Sequence, residues 1–422
     1  MTSASTPQSG QPDTMTSEDF DIVVVGGGSA GIGITASLLK RRPSLRIAVI
    51  EPSSKHCYQP AWTLVGGGVY DVGKTVKATS EVIPEGASWI EQSAARIDAE
   101  SHSVALDNGQ SIGYQQLIVC PGLRLAWEKI EGVEETLGQN GVTSNYRLDL
   151  APYTWKLVKE LENGTAIFTQ PPMPIKCAGA PQKALYLSCD YWRQQGVSSS
   201  IKVEFALAGN ALFGVSEFVP TLKSYIERYN ANLDFGHNLV KVDGPNHKAT
   251  FETTDAEGNK QRVEKDFDVL HVVPPQVAPD FIKESGLGND AGWVDVDSTT
   301  LQHSRFDNVF ALGDCIGTSN AKTAAAARKQ VVIVAENLLA AREGKVLPAR
   351  YDGYGACPLT VERGKVVLAE FGYGGKLLPT LPLNPRVPRA FNWWMKTRLL
   401  PFIYWEGMLK GREWLTKAQV DK

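Results

Sequence analysis

A glycine-rich loop near the start of the chain limits the fold more than any other feature of the sequence. The segment FDIVVVGGGSAGIGITASLL joins an apolar strand pattern, the loop and a helical pattern. The next strand, RIAVIEP, ends at Glu51, about 20 residues beyond the loop, where an acid in such units binds a ribose hydroxyl. A glycine triplet alone would be weak, but strand, loop, helix and acid together predict a dinucleotide-binding βαβ unit.

The glycines of this loop have separate expected roles. Gly26 allows a tight turn, Gly28 lets the backbone approach a pyrophosphate, and Gly31 lets the helix pack against the strand. The N-terminus of the helix then faces the anion. Any side chain at position 28 is therefore expected to weaken cofactor binding.

A second unit of the same kind is predicted in SIKVEFALAGNALFGVSEFVPTLKSYIERYNANLDF, residues 200–235. Its loop contains Gly209, Ala211 and Gly214. The alanine obstructs close backbone approach to a pyrophosphate, and no acid ends a short following strand. This lobe is therefore expected to have the fold of a nicotinamide site without its ligand.

A strand leading to an acid follows later in the chain. NVFALG runs into Asp314, as in the second FAD motif of two-dinucleotide-binding flavoproteins, where the acid contacts the ribityl chain. We predict that residues 318–320 cap the following alanine-rich helix and that Gly344 ends it. Its positive end, with Lys322, would then stabilise a reduced flavin. A simple packing role for the alanines is equally compatible.

Charge and cysteine content exclude several classes of protein. The net charge of −3, from 43 basic and 46 acidic residues, gives no footprint for nucleic acid. The six cysteines have neither zinc-site spacing nor the density of a secreted disulfide scaffold, so no metal is predicted.

Residues 1–19 are rich in Ser, Thr and Pro and predict a disordered leader. No apolar run approaches the roughly 18 residues of a membrane-spanning helix.

The C-terminal region has a different character. Aromatic residues cluster in FNWWMKTRLLPFIYWEGMLKGREWL (391–415), and seven basic but only two acidic residues lie between Arg386 and Lys417. Rings beside cations are typical of a helix that lies in the plane of a membrane surface. A dimer interface or ordinary core packing remains the alternative.

Taken in order, several motifs resemble those of sulfide:quinone oxidoreductases, in particular the group that includes the mitochondrial enzyme. The resemblance runs from about residue 20 to about residue 412. It is carried by GGGSAG, KHCYQPAWTLVGGG (55–68), IKCAGAPQKALYLS (175–188), HVVPP, GWVDVD (292–297), GDC followed by KTAAAA, YDGYGACPL and LLPFIYW.

The resemblance implies a redox pair formed by Cys177 and Cys357, bridged directly or through extra sulfur. Sulfide would attack Cys357 and leave a persulfide there, which frees the Cys177 thiolate beside FAD. A small acceptor, a thiol or sulfite, would take the outer sulfur, and ubiquinone or menaquinone in the membrane would take the electrons. The Cys-Ser-Val type motif of the family's other branch is missing, so storage of a long sulfur chain is not expected.

Candidate site residues follow from the loop motifs and the resemblance together. The candidates for binding FAD are Gly26, Gly28, Ser29, Ala30, Gly31, Glu51, Gln59, Ala94, Gly313, Asp314, Lys322 and Thr323. Phe391 and Phe402 are candidates for stacking on a quinone. Four cysteines (57, 120, 189 and 315) are expected to be structural. No catalytic role is expected for histidines 56, 237, 271 and 303.

The predicted fold is α/β, a tandem Rossmann-like (two-dinucleotide-binding) flavoprotein with a C-terminal amphipathic membrane-associating region. We expect an FAD domain from residues 20–125 and 285–345, a second Rossmann-like domain from 126–284, and a C-terminal redox-cysteine and quinone region from 346–422.

A peripheral position on the cytoplasmic face of a bacterial plasma membrane is favoured, or the mitochondrial inner membrane in a eukaryote. A homo-oligomer is left open. The rival functions are an NADH:quinone oxidoreductase and a flavin-stabilised interaction protein.

Overall fold

The computed structural model describes residues 19–255 and 257–420. Apart from Asp19, the leader predicted for residues 1–19 lies outside this range. Two sheets of mainly parallel strands dominate the chain, and helices cover their faces. The α/β class and the Rossmann-like arrangement are therefore confirmed, whereas the domain boundaries at residues 125, 284 and 345 stay a prediction.

The first sheet has seven strands and contains the predicted βαβ unit. Its central parallel strands, which include residues 20–25 and 47–50, are mostly apolar and buried on both faces, as expected for a sheet covered by helices. In spatial order the strands are β5 (Ala87–Ile90), β2 (Ile47–Ile50), β1 (Asp19–Val25), β8 (Ser111–Val119), β7 (Ser103–Leu106) and β6 (Ala94–Asp98), with β19 (Val309–Ala311) paired to the C-terminal part of β8. Strands β6 and β7 form an antiparallel hairpin at one edge. The carboxyl ends of β1, β2, β8 and β19 therefore meet at one edge of the sheet.

The second sheet has five strands, all parallel. Its strands, in spatial order, are β10 (Val142–Thr143), β17 (Val269–His271), β11 (Gly164–Gln170), β12 (Ile201–Leu207) and β13 (Asn232–Phe235). Strands β12 and β13 are joined through a helix, and they pair in parallel. The strand–helix–strand pattern predicted for residues 200–235 is confirmed.

Smaller sheets and the helices complete the chain. The antiparallel strands are β14 (Asn238–Asp243), β15 (Lys248–Thr254) and β16 (Lys260–Asp266) in one sheet, and the pairs β3 (Lys55–Cys57) with β4 (Val76–Ala78), β9 (Arg124–Leu125) with β18 (Gln276–Val277), β20 (Ala349–Arg350) with β23 (Gln419–Val420), and β21 (Gly355–Glu362) with β22 (Lys365–Phe371). The α-helices are α1 (Ser29–Arg41), α2 (Trp62–Gly66), α3 (Leu150–Glu160), α4 (Ala180–Gln195), α5 (Val219–Arg228), α6 (Asp280–Glu284), α7 (Ala324–Arg342), α8 (Ala390–Trp394) and α9 (Leu400–Phe402).

Helix α7 begins later than the sequence suggested. The predicted cap at residues 318–320 is wrong, because the N-cap is Thr323, whose hydroxyl accepts a hydrogen bond from the amide of Ala326. The hydroxyl of Thr318 is used locally, donating to the side chain of Asn320. The predicted end of the helix is confirmed, since Gly344 follows it with φ +65° and its amide bonds back to Ala341.

Residues of the C-terminal region contribute to both hydrophobic cores. Buried residues of β21 and β22, including Cys357 and Leu359, pack with the second sheet. Tyr404, Met408 and Leu409 pack instead with the core of the first sheet. This region therefore ties the two lobes together.

The aromatic segment forms one helical stretch of changing type that starts with α8. The π-helical turns Met395–Leu399 and Ile403–Gly407 lie on either side of α9, and a short 3-10 turn, Met408–Lys410, ends the stretch. Pro401 lies between the two widened turns, and its missing backbone N–H accounts for the break in the regular pattern. Among the helices that the structure describes, none has the length and apolarity needed to span a bilayer.

Candidate active site

The glycine loop after β1 leaves open space next to the first turn of α1. Gly26 has φ +106°, and a Cβ atom there would lie 2.5 Å from the carbonyl oxygen of Cys120. At Gly31 it would lie 1.8 Å from the carbonyl oxygen of Gly26. At Gly28, in contrast, a Cβ would meet nothing within 4 Å. Because Ser29 and Ala30 open the helix there, their backbone N–H groups face this space, which fits a pyrophosphate.

Three other candidates, Glu51, Ala94 and Gln59, differ in their position relative to the carboxyl edge of the first sheet. Glu51 follows β2, and its carboxylate accepts hydrogen bonds from the amides of Gly27 and Ser53, each at 2.8 Å. A carboxylate has further lone pairs, so Glu51 can still accept a bond from a ribose hydroxyl. Ala94 begins β6, four residues after the end of β5, whose last carbonyl accepts from the amide of Glu51. Gln59 lies apart from this edge and accepts a hydrogen bond from the ammonium of Lys176 at 2.5 Å.

The remaining cofactor candidates surround the start of α7. Gly313 has φ +83°, and its amide donates to the side chain of Gln330 at 2.8 Å. The ammonium of Lys322 donates to the carbonyl oxygens of Asp314 (2.9 Å) and Ile316 (2.8 Å), so it holds this loop. Burial raises the pKa of Asp314, although the nearby lysines oppose the shift. Thr323 caps the helix.

The structure brings Cys177 and Cys357 together. Their sulfur atoms lie 3.8 Å apart, although 180 residues separate them in sequence. Cys177 lies just before α4 with φ +48°, and its amide donates to the carbonyl of Lys322 at 2.8 Å. Cys357 lies on β21 and is 1% exposed. A disulfide needs a sulfur–sulfur distance of about 2.05 Å, which small side-chain movements can reach from here.

Two lysines that sequence reasoning missed flank the cysteine pair. Lys183, in the first turns of α4, donates a hydrogen bond to the sulfur of Cys177 at 3.0 Å. Lys396 is also buried; burial and the like charge of Lys183 lower its pKa to about 7, and the two sulfurs oppose this shift. Lys183 lies inside the same motif as Cys177, so a lysine six residues after the cysteine was a usable signal. The sequence around Lys396 contained no comparable signal.

The pKa values of Cys177 and Cys357 are shifted in opposite directions. The hydrogen bond from the Cys357 thiol lowers the pKa of Cys177 well below its ordinary value, helped by the charges of Lys183 and Lys396 and opposed by burial. The same hydrogen bond and burial raise the pKa of Cys357. Cys177 is therefore the cysteine of the pair that loses its proton first, and Cys357 is the one that keeps it.

A buried side chain beside this pair has an unused hydrogen-bond donor. The side-chain oxygen of Gln276 accepts from the amide of Lys176 at 2.7 Å. Its amide nitrogen is buried, and among the described residues it has no partner. Buried polar groups are rarely left unpaired in folded proteins. This donor therefore fits a polar ligand bound next to Cys177.

The other cysteines and histidines differ in environment. Cys120, Cys189 and Cys315 are buried, and burial raises the pKa of each thiol. Cys57 is half-buried, with its pKa also raised by burial. All six cysteines are free thiols. His56 contacts the glycine loop, since its Nδ1 lies 3.2 Å from the carbonyl oxygen of Gly27.

The two aromatic candidates for a quinone site lie on an exposed face. Phe391 is 50% exposed and stacks on Trp394, and Phe402 is 53% exposed and stacks on Trp414. Lys396, between them in sequence, is instead buried near the cysteine pair. The aromatic segment therefore reaches from the surface to the sulfur atoms.

Comparisons with known proteins agree with this geometry. The family model described as "Pyridine nucleotide-disulphide oxidoreductase" matches residues 20–178. A mitochondrial sulfide:quinone oxidoreductase of Dictyostelium discoideum is 41% identical over 94% of this chain and 87% of the relative. The mouse protein of the same name is 37% identical over 93% and 87%. A solved sulfide:quinone oxidoreductase from Aquifex aeolicus superposes with a TM-score of 0.75 at 18% identity, over 94% of this chain and 92% of that one.

Proposed function

The chain belongs to the sulfide:quinone oxidoreductase family of FAD-binding flavoprotein oxidoreductases, and on that premise we propose that Cys177 and Cys357 carry the oxidation of sulfide. The observation that supports this assignment best is the 3.8 Å between their sulfur atoms. Each of the two cysteines has a protonation state that suits one half of a thiol–disulfide exchange.

The first step is an attack of hydrosulfide on the sulfur of Cys357 in the oxidised pair. A bond forms between the incoming sulfur and Cys357, the bond between the two cysteines breaks, and Cys177 leaves as a thiolate. One anion enters and one is released, so the charge balances. Lys183 stabilises the departing thiolate, because its ammonium already donates to the sulfur of Cys177 at 3.0 Å.

The second step removes the outer sulfur from Cys357. A small acceptor, a thiolate or sulfite, bonds to that sulfur and leaves Cys357 as a thiolate. The positive charge of Lys183, and that of Lys396 when it is protonated, favour both the anionic acceptor and the resulting thiolates. The two thiolates then rejoin as a disulfide and give up two electrons. FAD, when bound, would supply the acceptor for these two electrons and their route to ubiquinone or menaquinone.

The residues proposed to hold FAD are those at the carboxyl edge of the first sheet. The open space at Gly28 and the donors at the start of α1 suit the pyrophosphate, and Glu51 suits a ribose. Gly313, Asp314, Lys322 and Thr323 belong to the loop whose lysine carbonyl binds the amide of Cys177. We keep Gln59 and Ala94 as weaker candidates.

The C-terminal aromatic segment is proposed to attach the protein to a membrane surface. Its exposed apolar side chains are Phe391, Trp394, Phe402, Trp414 and Leu415, and the exposed Leu383 and Val387 precede it. Exposed cations accompany them, among them Arg398, Lys410 and Arg412. Rings at the acyl boundary and cations on anionic headgroups stabilise such attachment together. The eukaryotic relatives are mitochondrial by name, which favours the mitochondrial inner membrane; the bacterial membrane favoured from the sequence gains no support from them.

An anaerobic titration tests the proposal. Sulfide together with sulfite as the acceptor, in the absence of NADH, should bleach the flavin absorbance of the wild-type protein, and added quinone should restore it. Cys357→Ser should not bleach. Rapid bleaching by NADH would support the rival NADH:quinone oxidoreductase, against which Ala211 argues. Unchanged sulfide-dependent quinone reduction in Cys357→Ser would support an interaction protein instead.

A further inference from the structure

A closed set of hydrogen bonds joins the C-terminal segment to the glycine loop. His56, on β3, lies 3.2 Å from the carbonyl of Gly27 through Nδ1 and 2.6 Å from the hydroxyl of Tyr404 through Nε2. The same Tyr404 hydroxyl lies 2.8 Å from the hydroxyl of Ser29. The path therefore starts and ends in the loop that faces the pyrophosphate.

Chemistry fixes the direction of each hydrogen bond. A carbonyl only accepts, so Nδ1 of a neutral His56 carries the proton and Nε2 is left as an acceptor. His56 is neutral because burial lowers its pKa to about 4. Tyr404 then donates to His56, and its oxygen is free to accept from the hydroxyl of Ser29. Every donor in the set has one acceptor.

The protein builds this contact from distant and buried parts. His56 and Tyr404 are 3% and 4% exposed and lie 348 residues apart in sequence. Tyr404 lies on the π-helical turn after Pro401, and its ring packs at 4.6 Å against that of Tyr58. The widened turn therefore brings a phenol to the first residue of α1.

Further contacts run along α1 in the same direction. Met408 packs where a Cβ on Gly33 would lie, and Gly411 lies against the carbonyl of Ala36. Glu413 accepts hydrogen bonds from Ser37 at 2.8 Å and from Arg41. The segment from Tyr404 to Glu413 thus follows the helix from its first turn to its last.

We infer that Tyr404 and His56 are positioning residues for FAD, which fix the first turn of α1 so that its backbone N–H groups point at the pyrophosphate. FAD retention then depends on the C-terminal segment being docked on α1. Neither residue needs to touch a reacting atom. Loss of the Tyr404 hydroxyl leaves Ser29 and His56 without their partners and frees the loop to move.

The test measures how much FAD the holoenzyme releases when it is diluted. Flavin fluorescence reports the released FAD. Tyr404→Phe should weaken FAD affinity by about tenfold, which corresponds to about 1.4 kcal/mol. The matched control is Tyr58→Phe, which removes a hydroxyl from the adjacent buried ring outside the set and should leave affinity unchanged. Equal losses in the two variants, or no loss in Tyr404→Phe, would overturn the inference.

Three further readouts separate positioning from general destabilisation. Activity of Tyr404→Phe should recover when excess FAD is added, with the KM for sulfide unchanged. His56→Phe should weaken FAD as Tyr404→Phe does, while His56→Gln, which keeps a donor and an acceptor, should recover most of the loss. The double variant His56→Phe with Tyr404→Phe should lose less than the product of the single losses, because both break the same set. Independent losses, or activity that excess FAD does not restore, would contradict the inference.

Discussion

The ammonium of Lys183 lies 3.0 Å from the sulfur of Cys177; Lys183 is buried and Cys177 is half-buried. The contact crosses the start of α4, because Cys177 precedes the helix and Lys183 lies in its first turns. A lysine this close stabilises a thiolate far more than it stabilises a thiol. The pair therefore decides at which pH Cys177 can leave as an anion.

Lys183→Met should raise the pKa of Cys177, so that its thiol becomes reactive only at higher pH. The folded protein holds the pKa of Cys177 low through the hydrogen bond from Cys357 and through Lys183. Removing the lysine raises that pKa, so the thiolate persists only at higher pH, and we expect a shift of about one to two pH units. The measurement is the rate of iodoacetamide alkylation of Cys177 in reduced protein across pH.

The control for this experiment is Lys223→Met, which removes an exposed lysine from α5. It should leave the alkylation profile of Cys177 in place. A profile that stays unchanged in Lys183→Met would mean that the Cys357 hydrogen bond alone sets the pKa.

Replacing either cysteine of the pair should abolish sulfide-dependent quinone reduction. Cys177→Ser and Cys357→Ser each remove one half of the exchange, so both should fall to the rate measured without protein. Cys57→Ser is the control, since Cys57 is a half-buried thiol outside the pair. Mass spectrometry of wild-type protein treated with sulfide and no acceptor should find the extra sulfur on Cys357. Extra sulfur on Cys177 would reverse the assigned roles.

Removing exposed rings from the aromatic segment should weaken membrane binding. Burial of one large aromatic side chain contributes roughly 1.5–3 kcal/mol, so Phe402→Ala or Trp394→Ala should reduce binding by about tenfold or more. Cosedimentation with vesicles that contain anionic lipid measures this. Phe235→Ala, at a 40% exposed ring on the second sheet, should bind like wild type. Equal binding by all three variants would exclude this face as the attachment surface.

Local patterns were enough to predict the elements that form the cofactor edge. The order strand, glycine loop, helix and acid placed β1, α1 and Glu51 correctly, because each depends on residues close in sequence. The cap of α7 was predicted at the wrong place, because residues 318–320 are polar and suit a helix start. The hydroxyl that accepts a hydrogen bond from the first turn of the helix is that of Thr323. Which hydroxyl caps a helix depends on the path of the chain before it.

Contacts between distant segments were beyond reach without the fold. The two cysteines could be paired only through a family resemblance, since nothing in either motif points to the other. No catalytic role was expected for His56, and its contact with Tyr404 could not be read from the sequence because 348 residues separate the two. Lys396 likewise becomes part of the site only because it lies on the buried side of a helical stretch whose aromatic neighbours are exposed.

Two glycine substitutions should separate loss of cofactor from loss of fold. Gly28→Ala places a methyl group where no protein atom lies within 4 Å, and its φ of −73° suits any residue, so the FAD-free protein should unfold at nearly the wild-type urea concentration. The same methyl group intrudes on the space offered to a pyrophosphate, so FAD affinity should fall by about tenfold or more. Gly31→Ala instead drives a Cβ to 1.8 Å from the carbonyl oxygen of Gly26, which the backbone cannot relieve without moving the helix. That variant should unfold at clearly lower urea. Normal FAD affinity in Gly28→Ala would show that the pyrophosphate does not approach the loop at this residue.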